Sequence, residues 1–209
     1  MDSRSTRRTD EVPTGLYLTR GDGRLPNALV ETHAGEAAEF YRELIRDRIV
    51  TINFMSLRNH AQYPATTHLS RIARALADEL SRDVFMYSIT TDPEHDTVDR
   101  LAAFAREHEV PRGWLFLRAA PNDVATISHR LYRHARRQGH PARLVHYGQG
   151  SIGVWGAFAA DTRPGLAVER LRWLSPSQAP TSAEDRYGEP FADNRQLGDV
   201  GEPPQRERV

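Results

Sequence analysis

Histidines are the strongest metal-ligating side chains in this sequence, because none of its 209 residues is cysteine. Neutral imidazole binds Zn(II) and Cu(II), and two imidazoles four residues apart on a helix can share one ion. No histidine pair has that spacing, and His129 and His134, five residues apart, diverge on a helix. A metal site must therefore combine distant segments, and plain surface histidines are the alternative. The nine histidines are His33, His60, His68, His95, His108, His129, His134, His140 and His146.

The second candidate for chemistry is the loop SLRNHAQYP, residues 56–64. The run IVTINFM before this loop is rich in β-branched residues and predicts a buried strand. The segment after the loop repeats apolar residues at helical spacing. Asn59 and Tyr63 lie in the loop, and Pro64 closes it. Neither residue is a nucleophile with a visible activating partner, and the absence of lysine from the chain excludes catalytic lysine chemistry.

Composition argues against nucleic acid and membranes as partners. Acidic and basic residues number 28 each, so the formal net charge is zero, and no arginine cluster follows a groove-like pattern. No stretch of about twenty apolar residues could span a bilayer. Arg7 and Arg8 are not followed by an apolar segment, so the sequence indicates neither a signal nor an anchor. A cytoplasmic location is therefore expected.

Polarity divides the chain into three parts. Residues 1–24 are polar and are expected to form a flexible N-terminal arm. Residues 175–209 are rich in proline, glycine and charge, and their few apolar side chains cannot offset the entropy of ordering, so a disordered tail is expected. Residues 25–174 are expected to form the one folded domain.

Helical and strand patterns alternate within the predicted domain. Apolar spacing predicts helices over residues 36–47, 66–80, 97–108, 121–137 and 164–174, and apolar runs predict strands over residues 49–55, 83–90 and 114–117. The segment ARLVHYGQGSIGVWGAF predicts a β-hairpin that turns at Gly148, Gln149 and Gly150. Strands joined by helices imply an α/β fold of the thioredoxin-like plan, with a mixed sheet, helices on both faces and a C-terminal hairpin.

Four stretches carry a resemblance to a known family. They are LPNALVETHAG with FYRELI, then VTINFM, then SITTDPEHDTVDRLAAFA with GWLFL, and finally VHYGQGSIGVW. The most specific part is the string containing Asp92, Pro93, Asp96 and Thr97. Over these stretches the chain resembles the SCO/SenC family, copper-handling proteins of cytochrome oxidase assembly with a thioredoxin-like fold. A turn at Asp92-Pro93 and a helix N-cap at Asp96 would explain the same string without any chemistry.

The resemblance implies a copper site whose main ligands are absent from this chain. The family motif after the first strand, F-x-x-T-x-C-x-x-x-C-P, matches the proline at Pro64, but its cysteine positions hold Asn59 and Tyr63. The family's histidine ligand falls near His140, with His146 as the neighbouring choice. Cu(I) prefers soft sulfur ligands and disulfide exchange requires thiolates, so neither copper nor another cofactor is expected here. The chain looks like a divergent member that lacks both motif cysteines.

Two functions remain after these exclusions. The first is a non-enzymatic accessory or regulatory protein that binds a protein partner, in a setting of copper-oxidase or metalloenzyme maturation that only the resemblance implies. The alternative is a Cu(II) or Zn(II) site that combines His60 with His140 or His146, near Asp92 or Asp96. An enzyme is not expected, because no nucleophile elbow, P-loop or zinc-protease motif occurs. The resembled family works outside the cytoplasmic membrane, in contrast to the location expected from the sequence.

Overall fold

The computed structural model describes residues 17–18, 25–135 and 143–175, and these residues build an eight-stranded mixed sheet. Across the sheet the strand order is β1-β8-β7-β4-β5-β6-β2-β3. The pairs β4–β5 and β5–β6 are parallel, and the other pairs are antiparallel. The strands are β1 (Tyr17–Leu18), β2 (Leu29–Thr32), β3 (Ala37–Glu39), β4 (Ile49–Met55), β5 (Val84–Thr90), β6 (Trp114–Ala119), β7 (Leu144–Gln149) and β8 (Val154–Ala159).

Helices cover both faces of this sheet. One apolar layer contains side chains of α1, α2 and α4, and the other contains side chains of α3 and a short π-helix. The predicted α/β architecture, a mixed sheet between helices with a C-terminal hairpin, is therefore confirmed. The helices are α1 (Ala65–Leu76), α2 (Val98–Glu107), α3 (Pro121–Ala135) and α4 (Pro164–Trp173), with the π-helix at Phe40–Ile45 and a 3₁₀ turn at Ala77–Glu79.

Strand β4 is central and positions the candidate site. It pairs in parallel with β5 and antiparallel with β7, and only its last residue, Met55, is not fully buried. A strand covered on both faces is expected to be a continuous apolar run rather than an alternating one, which explains why IVTINFM was recognisable in the sequence. The loop that carries Asn59 and Tyr63 leaves the sheet directly after this strand.

The helix predicted over residues 36–47 is wrong in its first part. Residues Ala37–Glu39 form β3, which pairs with β2 through a turn that includes Gly35 at φ +81°. Only Phe40–Ile45 is helical, with four buried side chains that face the core. The backbone of the preceding residues finds its hydrogen bonds across the hairpin, and these tertiary partners override the local helical pattern.

The predicted hairpin turn is also wrong by a few residues. Gly148 and Gln149 remain in β7, where they pair with Trp155 and Val154, and the turn spans residues 150–153. A Cβ atom at Gly148 would lie 2.6 Å from the Trp155 ring, so this glycine allows close packing within the ladder. Gly148 therefore makes room for the Trp155 ring and does not form the turn.

The ends of the domain are described only in part. Tyr17 and Leu18, in the segment predicted to be a flexible arm, pair with β8 and extend that side of the sheet. The rest of residues 1–24 and the tail after Ser175 lie outside the described residues, so the predicted domain boundaries stay predictions. Within the described ranges, no helix is both long enough and apolar enough to cross a membrane.

Candidate functional site

The candidate site consists of two neighbouring loops. Strands β4 and β5 are adjacent and parallel, so the loops that follow them leave the same edge of the sheet. We call residues 56–64 the β4 loop and residues 91–97 the β5 loop. All sequence-predicted site residues except His140 and His146 belong to one of these loops.

The β4 loop contains one helical turn between Asn59 and Tyr63. The Tyr63 N–H donates a hydrogen bond to the Asn59 carbonyl oxygen at 2.9 Å. This i to i+4 bond is that of a helical turn, which places the side chains at 59 and 63 on the same side. Asn59 is exposed, and Tyr63 is half-buried with the Arg143 guanidinium 5.9 Å from its ring centroid. Pro64 occupies the N-cap position of α1.

The side chains at these two positions do not fit the copper ion of the resembled family. An amide and a phenol offer oxygen donors, whereas Cu(I) selects thiolate and thioether sulfur. Asn59 and Tyr63 thus occupy a turn suited to a pair of ligands without supplying ligands for that ion. We therefore assign no copper or redox step to this turn.

The β5 loop contains a carboxylate–imidazole pair. The Asp92 Oδ1 atom lies 2.7 Å from the His95 Nδ1 atom, and the Arg58 guanidinium of the β4 loop is 3.5 Å from Asp92 Oδ2. The hydrogen bond with His95, together with the nearby His95 and Arg58 charges, lowers the pKa of Asp92. Asp92 therefore remains an anion that links the two loops through Arg58.

Asp96 is the buried link between the two loops. Its side chain is fully buried, and its Oδ2 atom accepts hydrogen bonds from the Leu57 N–H at 3.1 Å and the Thr90 hydroxyl at 2.5 Å. The predicted N-cap role of Asp96 is wrong, because Thr97 is the N-cap and accepts a hydrogen bond from the Arg100 N–H. The aspartate one position earlier turns inward and bonds the β4 loop instead.

Pro93 connects the β5 loop to the neighbouring strands β6 and β2. Its carbonyl oxygen accepts a hydrogen bond from Arg118 Nε at 2.8 Å, and Arg118 also forms an ion pair with Glu31 of β2. Pro93 is buried, so the turn predicted at Asp92-Pro93 is anchored by tertiary contacts. These contacts fix the position of the turn.

His60 contacts α2 rather than another predicted ligand. Its ring centroid lies 4.9 Å from that of Phe104 and 4.9 Å from that of His108. Burial and the nearby His108 lower the pKa of His60, so its imidazole is neutral at neutral pH. The sequence pattern does not single out His108 as a site residue, although its position four residues after Phe104 places both side chains on the same side of α2.

His146 is a core residue on the opposite face of the sheet. It lies in β7, fully buried, with its ring 4.8 Å from that of Tyr132 and 6.4 Å from that of Phe54. Neither ring nitrogen has a hydrogen-bond partner among the described residues, and burial lowers the pKa of His146 to about 4. His140 lies outside the described residues. No described ring contact joins His60 to His146.

Metal ligands are dispersed in this structure. Across residues 25–135 and 143–175, no three histidine, aspartate or glutamate side chains are grouped closely enough to hold an ion together. Among the ring contacts of these residues, one joins two imidazoles, those of His60 and His108. The combination of His60 with His140 or His146 stays a prediction.

Comparison with known proteins identifies the fold. No family model and no curated protein matches the chain. A SCO1/SenC family lipoprotein from Bacillus anthracis is 12% identical, with 76% of this chain and 99% of that chain covered at a TM-score of 0.56. Yeast Sco1 with copper bound is 13% identical, with coverage of 76% and 99% and a TM-score of 0.56. BsSco, of the Sco family of cytochrome c oxidase assembly proteins, is 14% identical, with coverage of 71% and 91% and a TM-score of 0.57.

The sheet order, the flanking helices and these matches define a thioredoxin-like fold. More narrowly, it is the fold of the Sco proteins, because the match covers 91–99% of the length of these three Sco chains. The resemblance that the sequence motifs predicted is thus confirmed at the level of the fold. At these identities the match concerns architecture, and the chemistry must be argued from the residues.

The buried Asp96 carboxylate is expected to stabilise the fold. Asp96→Ala should lower the free energy of unfolding by about 2–4 kcal/mol, because the Leu57 N–H and the Thr90 hydroxyl would lose their acceptor inside the protein. Asp96→Asn keeps a carbonyl oxygen and should cost less. Urea unfolding measures both effects. Asp99→Ala, at an exposed position in the first turn of α2, is the matched control with an expected loss of about 0.5 kcal/mol. Equal losses for Asp96→Ala and Asp99→Ala would contradict this role.

His146 is expected to make the protein less stable in acid. Its pKa is about 4 in the folded protein and near 6.5 in the unfolded chain, so protons favour unfolding as the pH falls from 6.5 to 4. The loss in stability over this window is up to about 3 kcal/mol. Urea unfolding at pH 7 and pH 4.5 should show a smaller pH effect in His146→Phe than in wild type. His129→Ala, at an exposed site, should behave as wild type. Superimposable pH dependences for His146→Phe and wild type would show that His146 is not responsible.

Proposed function

We propose that this protein is a non-enzymatic, SCO-like accessory or regulatory protein that acts by binding a protein partner. The proposed setting is maturation of a copper-dependent oxidase or a related metalloenzyme. One observation carries the proposal: the β4 loop keeps the i to i+4 turn of a paired-thiol motif while Asn59 and Tyr63 occupy both thiol positions. Such a turn supports presentation of side chains, but it supports neither thiol exchange nor Cu(I) transfer.

The construction of the two loops favours a preorganised binding surface. Asp96 bonds the β4 loop from within, and Arg58 and Asp92 pair across the loops at the surface. A surface that is already ordered loses little conformational entropy when a partner binds. Exposed Arg58, Asn59 and His95 give it polar character. The assignment of BsSco to cytochrome c oxidase assembly proteins supports the proposed setting.

Restoring the two sulfur atoms tests whether the turn is the one proposed. Wild-type protein should bind no stoichiometric Cu(I), because Asn59 and Tyr63 supply no sulfur. The double variant Asn59→Cys/Tyr63→Cys should bind one Cu(I) per chain, because the turn places both thiolates on one side. Anaerobic titration against a chromophoric Cu(I) chelator measures both proteins. A variant with cysteines at exposed Ala125 and Thr126, adjacent positions of α3 whose side chains do not face each other, controls for two thiols without the shared side and should bind Cu(I) far more weakly. Stoichiometric Cu(I) binding by wild type would contradict the proposal.

Partner binding is testable with the copper-binding soluble domain of an oxidase subunit from the same organism. Isothermal titration should show one-to-one binding, and Asn59→Arg should weaken it at least about tenfold, because a long charged side chain would stand in the interface.

Ala125→Arg is the matched control for this experiment. It places the same side chain at an exposed position of α3, on the other face of the sheet. Wild-type affinity is expected for this variant. Absence of binding by the wild-type protein, or equal weakening by Asn59→Arg and Ala125→Arg, would contradict partner binding through the β4 loop.

A further inference from the structure

Two imidazoles from different elements meet beside the β4 loop. His60 lies within the loop, and His108 directly follows the last residue of α2. Their ring centroids are 4.9 Å apart and their planes are inclined by 67°. Both side chains are half-buried, and the Phe104 ring contacts each of them, at 4.9 Å for His60 and 4.2 Å for His108.

The separation of the two rings matches that of two histidines bound to one ion. A Zn–N bond of about 2.0–2.1 Å places an imidazole centroid about 3.2 Å from the metal, so two rings at adjacent tetrahedral positions lie about 5 Å apart. The observed 4.9 Å falls at this value. Inclined ring planes are compatible with such a chelate, because each ring can rotate about its metal–nitrogen bond.

The surroundings favour a cation at this place. Two carboxylates, Glu107 and Glu109, line the same surface pocket as His108, together with one guanidinium, that of Arg74. Phe104 covers part of the pair and reduces its contact with water, which strengthens electrostatic attraction.

The geometry points to a metal site in which His60 and His108 chelate a divalent ion of borderline softness, Zn(II) or Cu(II). Solvent molecules complete the coordination. No thiolate is needed. The site uses a histidine from the position between the two motif residues, but its second ligand comes from α2 and not from the C-terminal hairpin.

A bound ion would connect the β4 loop to α2. It adds a ligand-dependent bond to a loop that Asp96 already holds from inside, and it stabilises the folded state by mass action. This inference goes beyond the proposed partner binding and does not depend on it, since the two imidazoles can be titrated with metal in the absence of any partner.

The test titrates the full-length protein with Zn(II) against a chromophoric chelator and with Cu(II) by electron paramagnetic resonance. We expect one ion per chain and a Cu(II) spectrum with hyperfine coupling to two imidazole nitrogens. His60→Phe and His108→Phe keep an aromatic ring against Phe104 but remove the nitrogen donors. Each should weaken binding on the order of a hundredfold, because the second bond of a chelate forms intramolecularly.

Controls separate this site from general histidine binding and from damage to the fold. His129→Phe, at an exposed position of α3, should retain wild-type affinity. In the absence of metal, the midpoints of thermal unfolding of His60→Phe and His108→Phe should remain close to that of wild type, and the rise in midpoint caused by Zn(II) should disappear.

Three outcomes would overturn the inference. The first is absence of one-to-one binding of Zn(II) or Cu(II) with a Kd below about 100 µM in the wild-type protein. The second is wild-type affinity in either His60→Phe or His108→Phe, which would mean that the pair is an aromatic contact only. The third is equal weakening in His129→Phe, which would indicate binding distributed over surface histidines.

Discussion

The arrangement of the site depends on one buried carboxylate. Asp96 accepts hydrogen bonds from the Leu57 N–H at the start of the β4 loop and from the Thr90 hydroxyl at the end of β5. Burying a carboxyl group is costly unless hydrogen bonds compensate, and here both bonds go to Oδ2, while Oδ1 is buried without a hydrogen-bond partner. Displacing the β4 loop would remove one of these two bonds. The same bonds place Arg58 beside Asp92 and hold the turn that contains Asn59 and Tyr63. The position of the exposed β4 loop thus depends on a buried group beneath it.

Below this link, a chain of buried hydrogen bonds joins the parallel strands. Trp114 Nε1 donates to Ser88 Oγ at 3.0 Å, and the Ser88 hydroxyl donates to Asn53 Oδ1 at 2.7 Å. These residues come from β6, β5 and β4, so the chain crosses the middle of the sheet. These hydrogen bonds inside an apolar layer favour one strand alignment, because a shift in register would break them. The edge from which both loops emerge is fixed in this way.

Local sequence patterns predicted most helices and strands correctly. They failed where contacts with distant residues determined the conformation. Strand β4 and helix α2 were recognisable because β-branched runs and apolar spacing coincide there with the final burial. Ala37–Glu39 carried a helical pattern, yet pairing with β2 made it a strand. Gly148 resembled a turn residue, yet the Trp155 ring requires a glycine there within the ladder. Local sequence patterns do not show which distant segment of the chain will pack against a given residue.

The chemical limits of this protein follow from the sequence alone. A chain without cysteine has no thiolate for Cu(I) or for disulfide exchange, and no folding of the other side chains can supply one. Which histidines meet was decided only by the tertiary structure. It places His60 beside His108, which lies 48 positions later in the chain. It also buries His146 on the opposite face of the sheet. Residue identity determines which bonds are possible, whereas proximity and burial arise only when distant segments pack together.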